Sequence, residues 1–308
     1  MSGSEILGES LPFDEMVELN DWKNYQVDPN AYKAIHAASV SDSAKHWENI
    51  AKELEWYGPW ESVVKKGDHP HVYKWFAGGK INLCNLALDR HARTNRRNKL
   101  ALIWEGEPVG GDGSPREVRK FTYGELLEEV NRMAFLLSER FGLRKGDRLA
   151  VYLPLIPEAI ITLLAAARLG VTFTVVFSGY SAEALSSRMN DLGASVLVTA
   201  DGFYRRGKKI LLKEIVDKAL EQTPTVHHVI VVGRLGGECD MTEGRDHLLS
   251  DLTSHLPPNP VVAPEEVESE HPLYVLYTSG TTGKPKGMIH DTGGYSVLLH
   301  ATMNWVFD

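Results

Sequence analysis

Between Tyr277 and Gly287 the chain reads YTSGTTGKPKG, and no other stretch of its 308 residues gathers as many groups suited to holding an anion. Four hydroxyls (Thr278, Ser279, Thr281, Thr282), three glycines (Gly280, Gly283, Gly287) and two lysines (Lys284, Lys286) follow an apolar run, 272–277. Glycines let backbone N–H groups approach and wrap a phosphate. Hydroxyls add hydrogen bonds, and lysines add compact positive charge. Pro285 stiffens the turn between the two lysines. Gly, Ser, Thr and Lys are ordinary loop residues one at a time; the ordered set directly after an apolar strand points to a polyphosphate cradle. It is not a Walker A loop. That motif needs four residues between its glycines and a Ser or Thr after the lysine, whereas two residues separate Gly280 from Gly283 and Pro285 follows Lys284.

A second basic group lies in ADGFYRRGKK, where Arg205, Arg206, Lys208 and Lys209 surround Gly207. It suits a site for a phosphorylated ligand, and it equally suits a solvated loop or helix start. Weaker signals carry less. His69 and His71 have no carboxylate or cysteine cluster beside them and fit a surface turn; His227 and His228 fit a strand start. Asp291, four residues after Gly287, is an unusual neighbour for polyphosphate unless it faces away or assists magnesium. No metal ligand set is assigned.

These groups need a frame, and 308 residues with 43% hydrophobic and 24% charged content can bury one large domain or two ordinary ones. A net charge of −8 argues against a general nucleic-acid or membrane-surface partner, because neutralising phosphates takes a basic face. Cys84 and Cys239 have neither metal nor disulfide spacing, which suits the reducing cytosol. The start of the chain has no apolar core and is not a secretory signal. We expect a soluble, cytoplasmic protein.

Residues 1–100 read as an N-terminal arm and helix packed on a body. The stretch before residue 40 is weakly periodic, and a helix begins at Ser43 with Ala44, Trp47, Ile50, Ala51 and Leu54 on one face. Five of the seven tryptophans (Trp22, Trp47, Trp56, Trp60, Trp75) fall in the first 80 residues, as anchors by area burial. Gly106–Pro115 reads as a hairpin turn, and Tyr123–Phe141 as an amphipathic helix. Strands at 148–153, 171–177, 195–199 and 226–232 alternate with helices at 157–169, 181–192 and 209–222. Continuously apolar strands alternating with helices predict an α/β fold, a doubly wound, mainly parallel sheet with flanking helices over 101–308. In such sheets ligands sit beyond the C-terminal strand ends. Residues 233–270 read as a connection with little core.

The loop and the MIHDTGGY that follows it resemble the phosphate-loop motif of the adenylate-forming superfamily. HWENIAKELEWYGPW (His46–Trp60), KWFAGGKINLCNLALDRH (Lys74–His91), YLPLIPEAIITLLAAARLG (Tyr152–Gly170) and VVFSGYSAEAL (Val175–Leu185) are similar to its acetyl/propionyl-CoA synthetase branch. The resemblance runs from about Ser43 to the last residue. It implies an AMP-forming ligase: a short-chain carboxylate and ATP give an acyl-adenylate and pyrophosphate, and the acyl group passes to coenzyme A. Thr278, Ser279, Gly280, Thr281, Thr282 and Gly283 would embrace the β- and γ-phosphates, and Lys284 and Lys286 would act catalytically on the departing pyrophosphate. Arg205 and Lys208 would hold phosphates of coenzyme A, Lys208 standing where the branch has a second arginine, and Gly179 would let coenzyme A pass the backbone. The resemblance also implies Mg2+, with its Thr-Glu ligand segment, the acyl and adenine pockets, the ribose aspartate, the hinge and a small C-terminal domain all expected beyond Asp308. We therefore expect an incomplete large N-terminal domain, from a truncated chain or split gene, inactive alone. Adenylation for a carrier protein and a non-catalytic nucleotide-binding module are the other expectations, and homo-oligomerisation stays open.

Overall fold

The computed structural model describes residues 29–69, 72–236, 239–278 and 285–307. The backbone divides into two compact units, residues 1–49 and 50–308. In the stretch read as an arm, Pro29–Ser41 forms helix α1, followed by α2 (Ser43–Ala51). Trp22 lies outside the described residues. In the larger unit, Trp56 and Trp60 pack against the buried Phe76 with ring centroids 5.5 Å away, and Trp75 lies 6.1 Å from it.

An antiparallel pair, β1 (Ser62–Lys66) and β2 (Tyr73–Ala77), precedes the short β3 (Lys80–Ile81). His69 lies in the bend between β1 and β2, and His71 lies outside the described residues. A helical run over 85–92 leads to the hairpin β4 (Leu100–Val109) and β5 (Pro115–Thr122), around the glycine-rich turn expected there. Helix α3 (Tyr123–Phe135) starts with a capping box: Thr122 Oγ1 accepts from the Glu125 N–H, and Glu125 Oε2 accepts from the Thr122 N–H at 2.8 Å. It runs on through a π-helical turn, Leu136–Arg140.

Then β6 (Arg148–Tyr152), α4 (Pro157–Leu169), β7 (Thr172–Val175), α5 (Ala182–Leu192) and β8 (Val196–Ala200) follow as the pattern predicts. Pro157 starts α4, Ser181 Oγ caps α5, and Gly170 and Gly193 stop the two helices with φ of 65° and 69°. After β8 the structure departs from expectation. Residues 209–222 are not one helix: β9 (Gly202–Arg205) and β10 (Lys208–Leu211) form a hairpin, and only Lys213–Leu220 is helical, as α6. The cause is the two-residue turn Arg206–Gly207, whose φ values of 51° and 74° suit a tight hairpin and exclude a helix. The stretch 233–270 also holds more than expected. After β11 (His228–Val232), β12 (Asp246–Leu248) adds to the sheet and leads into α7 (Leu249–Ser254). Short β13 (Val267–Glu268) pairs back with β3, and β14 (Pro272–Thr278), β15 (Lys286–Asp291) and α8 (Thr292–Thr302) follow.

The main sheet has the order β12-β11-β8-β6-β7-β14-β15, parallel except for the antiparallel edge strand β15. Helix α3 packs on α4, and α5 on α6. The crossover β6–α4–β7 runs one way along the sheet, while β7–α5–β8 and β8–α6–β11 run the other. Right-handed connections therefore put the two helix pairs on opposite faces. The predicted doubly wound α/β architecture is present. Among the described residues no helix is long and apolar enough to cross a membrane.

One buried ion pair ties the segment before β4 to this frame. Arg168, on α4 and 2% exposed, donates from Nη1 and Nη2 to the Asp89 carboxylate at 2.8 and 3.0 Å, and from Nε to the Val262 carbonyl. Beside it, Asn82 Nδ2 donates to the carbonyls of Ala167 and Glu265. Breaking one member of a buried pair strands the other charge. Asp89→Ala should therefore lower unfolding free energy by about 3 to 5 kcal/mol in a urea titration. Glu128→Ala, which removes the exposed partner of Arg97, should cost about 0.5 kcal/mol or less.

Candidate active site

The loop at the end of β14 is framed by a β-hairpin. Thr278 stands directly opposite Lys286 in the β14–β15 register, and both are exposed. Ser279, Gly280, Thr281, Thr282, Gly283 and Lys284 lie outside the described residues, so the structure places the root of the loop and those two members. Asp291 sits at the other end of β15, paired with Pro272. Five residues of extended strand put it about 17 Å from Lys286. There it caps α8, accepting from the Tyr295 N–H, and burial raises its carboxyl above the usual range. The sequence left open whether Asp291 assists magnesium or faces away; it is a helix cap. His290 stacks on Tyr274 with centroids 4.4 Å apart and is part of the packing.

Arg205 reaches a cavity at a second place on the same sheet end, and Gly179 follows Ser178, one of its lining residues, in the turn after β7. This cavity of about 380 Å³ is lined by Pro154, Leu155 and Ile156 after β6, Phe177 and Ser178 after β7, Phe203, Tyr204 and Arg205 of β9, Arg234 after β11, and Trp104, Glu105 and Glu107 of β4. The chain goes from β6 to its neighbour on one side and returns past it to β8 on the other. That reversal is the switch point where α/β sheets open a crevice.

Local chemistry explains the walls. Asp201 follows β8 and is 3% exposed. Its carboxylate accepts from the backbone N–H groups of Gly202 at 2.7 Å, Arg234 at 2.8 Å and Leu235 at 2.9 Å, so the β9–β10 hairpin and the turn after β11 share one buried anchor. Thus placed, Arg234 lies 5.1 Å from the Trp104 ring and 5.7 Å from the Tyr204 ring, and donates to Glu117 Oε2 and the Glu107 carbonyl. Trp104 Nε1 donates to the Leu155 carbonyl at 2.7 Å. Tyr152, fully buried at the end of β6, donates to the Tyr180 carbonyl at 2.8 Å and holds the turn containing Gly179. Burial pushes its phenol up to about 12, so it stays a donor at neutral pH. A Cβ on Gly179 would lie 2.6 Å from the Phe177 ring, which is 58% exposed and would have to swing aside to admit it.

Lys208 is the cross-strand partner of Arg205. Two like charges directly opposite each other are unfavourable until an anion joins them. The predicted pair is therefore brought together, and Arg205 reaches the cavity wall. Sequence reasoning did not single out Asp201, Arg234, Trp104 or Tyr152. Asp201 and Arg234 each stand just past a buried strand, the one signal that could have found them. A larger depression, about 700 Å³, lies beside β12 and holds none of the predicted residues. Among the described residues no group of three His, Cys, Asp or Glu is placed to bind a metal.

The family model described as AMP-binding enzyme matches residues 88–307, from the helical run before β4 through the end of α8 and beyond. The chain belongs to the AMP-binding enzyme family. Within this AMP-binding enzyme, residues 32–87 match a second model, acetyl-coenzyme A synthetase N-terminus. An acetyl-coenzyme A synthetase of Pyrobaculum aerophilum is 52% identical over 299 residues, covering 97% of this chain and 44% of that protein. One of Mycobacterium tuberculosis is 43% identical over 285 residues, covering 91% and 42%. The solved structure of an acetoacetyl-CoA synthetase from Streptomyces lividans superposes with a TM-score of 0.78 at 29% identity, over 94% of this chain and 43% of that one. The family resemblance read from the motifs holds, and the chain spans less than half the length of these relatives.

If Asp201 is the common anchor, Asp201→Asn should destabilise by about 2 kcal/mol, because an amide N–H would then face backbone donors. Trp104 emission should shift as well, since Arg234 would no longer be held over the indole. Unchanged stability and emission would show that Asp201 is dispensable to the wall.

Proposed function

We propose that this AMP-binding enzyme takes part in carboxylate activation and thioester formation with a short-chain acid, ATP and coenzyme A. The β14–β15 loop is the ATP phosphate cradle, and the cavity beside Arg205 is the coenzyme A side. What supports this most is that both open at the C-terminal end of one parallel sheet. A carboxylate oxygen of the acid attacks the α-phosphorus, and the bond to the β-phosphate bridging oxygen breaks. Pyrophosphate leaves with its charge against Lys284, Lys286 and the loop N–H groups, an electrostatic role. The coenzyme A sulfur then attacks the acyl carbon, and the bond from that carbon to the AMP oxygen breaks.

Among the described residues the root of the loop has no group of three ligands for Mg2+: Asp291 caps α8, and Asp191 accepts from the Tyr277 hydroxyl. Cys84 is no nucleophile for this chemistry, because burial pushes its thiol up to about 12. Two unpaired cysteines, one deeply buried, suit a reducing compartment such as the cytoplasm.

We infer that these 308 residues do not complete the reaction alone. Leu276, Met288 and Ile289 near the loop root, with Leu298, Trp305, Val306 and Phe307, are all between 42% and 69% exposed. Water against so much apolar surface is unfavourable, and further polypeptide covering it would remove that cost.

The test is carboxylate-dependent ATP–pyrophosphate exchange by the chain joined to the half its relatives possess, across acids of increasing length. Exchange with a short acid and none without it is expected; no exchange with any acid would refute the proposal. Lys286→Ala should slow exchange on the order of a hundredfold. Arg205→Ala should weaken coenzyme A binding about tenfold or more in calorimetry, with a smaller salt dependence, while leaving exchange intact.

A further inference from the structure

Arg188, on α5, is 7% exposed. Its Nη1 donates to the Ala184 carbonyl at 2.7 Å, and among the described residues it forms no ion pair. A guanidinium taken out of water without a counter-charge is costly unless something else stabilises the cation. Two aromatic faces do so. The guanidinium carbon lies 4.6 Å from the Tyr180 ring centroid and 5.7 Å from that of Tyr277. The Tyr277 hydroxyl, in turn, donates to Asp191 Oδ2 at 2.8 Å and reaches the Arg188 carbonyl, so it is tied to the same helix. Burial, and then the Asp191 carboxylate, raise this phenol, which keeps it a donor.

The two rings belong to the two halves of the site. Tyr180 follows Gly179 in the turn after β7, and Tyr277 precedes Thr278 at the end of β14. These strands are neighbours in the sheet, yet their C-terminal ends lead to different ligands. A planar cation facing both rings makes the position of one depend on the other. Lysine, a compact ammonium, offers no such plane.

We propose that Arg188 is a positioning residue that couples the Gly179 turn to the Tyr277–Thr278 end of β14, so that ligand binding at one is felt at the other. It rests on the assignment of coenzyme A to the first and ATP phosphates to the second, and goes beyond it by naming the link.

Amide hydrogen exchange on the purified chain tests the link first without any ligand. Arg188→Gln should speed exchange over 177–181 and over 275–278 together, each about tenfold, with α3 and α4 unchanged. Should Arg188→Gln loosen α5 as a whole, Tyr180→Leu removes one ring from the exposed side and leaves the helix intact. It should still speed exchange over 275–278, which it does not touch. Acceleration of one segment alone, or of neither, in the ligand-free arm overturns the proposal. Coenzyme A is then added. Protection should spread to 275–278 and 286–289 in the wild type and be lost in Arg188→Gln. Equal spread in both proteins overturns the coupling. Should coenzyme A protect nothing in the wild type, the assignment of its site fails, while the ligand-free comparison still decides whether Arg188 joins the two segments.

Discussion

A single buried carboxylate organises the side of the molecule where the chain's chemistry gathers. Asp201 stands at the first position past β8, where the backbone leaves the sheet, and three N–H groups from two separate turns converge on it. Its carbonyl also accepts from Leu212 and Lys213, the residues that begin α6. One residue thus sets the hairpin β9–β10, the turn after β11 and the start of the helix between them. Turns at strand ends have few apolar contacts to hold them, so a buried acceptor with several donors supplies the order that packing cannot. Arg234 inherits its position from this anchor and lies over the Trp104 and Tyr204 rings, while Trp104 is held as well by the Leu155 carbonyl.

Positive charge is handled differently at each point of the site. At the hairpin tip, Arg205 and Lys208 oppose each other in register with Arg206 between them, and nothing in the hairpin neutralises the three. Like charges in register repel each other, and the Glu107 carboxylate beside the tip accepts from the Arg206 N–H at 3.3 Å. Arg234, by contrast, is neutralised by Glu117 and stacked on rings, which makes it a wall. Arg188 is buried against two rings and, among the described residues, forms no ion pair, which suits the linking role proposed for it. The number of arginines near a cavity therefore says little; what each one's neighbours leave unsatisfied decides its role.

How much of this was legible in the sequence follows from which force fixes each element. β6, α4, β7, α5 and β8 are fixed by apolar burial and by local stop and start residues (Pro157, Gly170, Ser181, Gly193), and both leave a written pattern. β12 is fixed by charge. Asp246, fully buried, meets Lys213 at 2.8 Å and Arg245 at 2.6 Å, and although burial opposes ionisation these bonds hold its carboxyl down at about 2. No hydrophobic period announces a strand held that way. The β9–β10 hairpin was hidden because Arg206 adopts a left-handed backbone that its residue type does not advertise. In the predicted site, Lys286, Arg205 and Gly179 were readable as types in a motif, whereas Asp201, Arg188 and Tyr152 make contacts across 28 to 89 residues of sequence.

The two ligand regions are built to different degrees, and the difference follows from where they lie in the sheet. The cavity beside Arg205 sits over central strands flanked by helices on both faces, so its walls close on neighbours within these residues. The β14–β15 hairpin is the sheet's edge, where among the described residues no strand pairs with the outer side of β15 and consecutive residues Met288 and Ile289 both face water. An edge with exposed apolar side chains and free backbone groups is the part of a sheet most in need of a further strand or helix. On the proposed reading, polyphosphate neutralisation by Lys286 would depend on a root held still, because a loop N–H or ammonium displaced by about 1 Å loses most of its electrostatic effect on a leaving group. On that reading covering the edge would be a condition for catalysis at the loop, while the hairpin tip and Arg234 can hold their geometry without it.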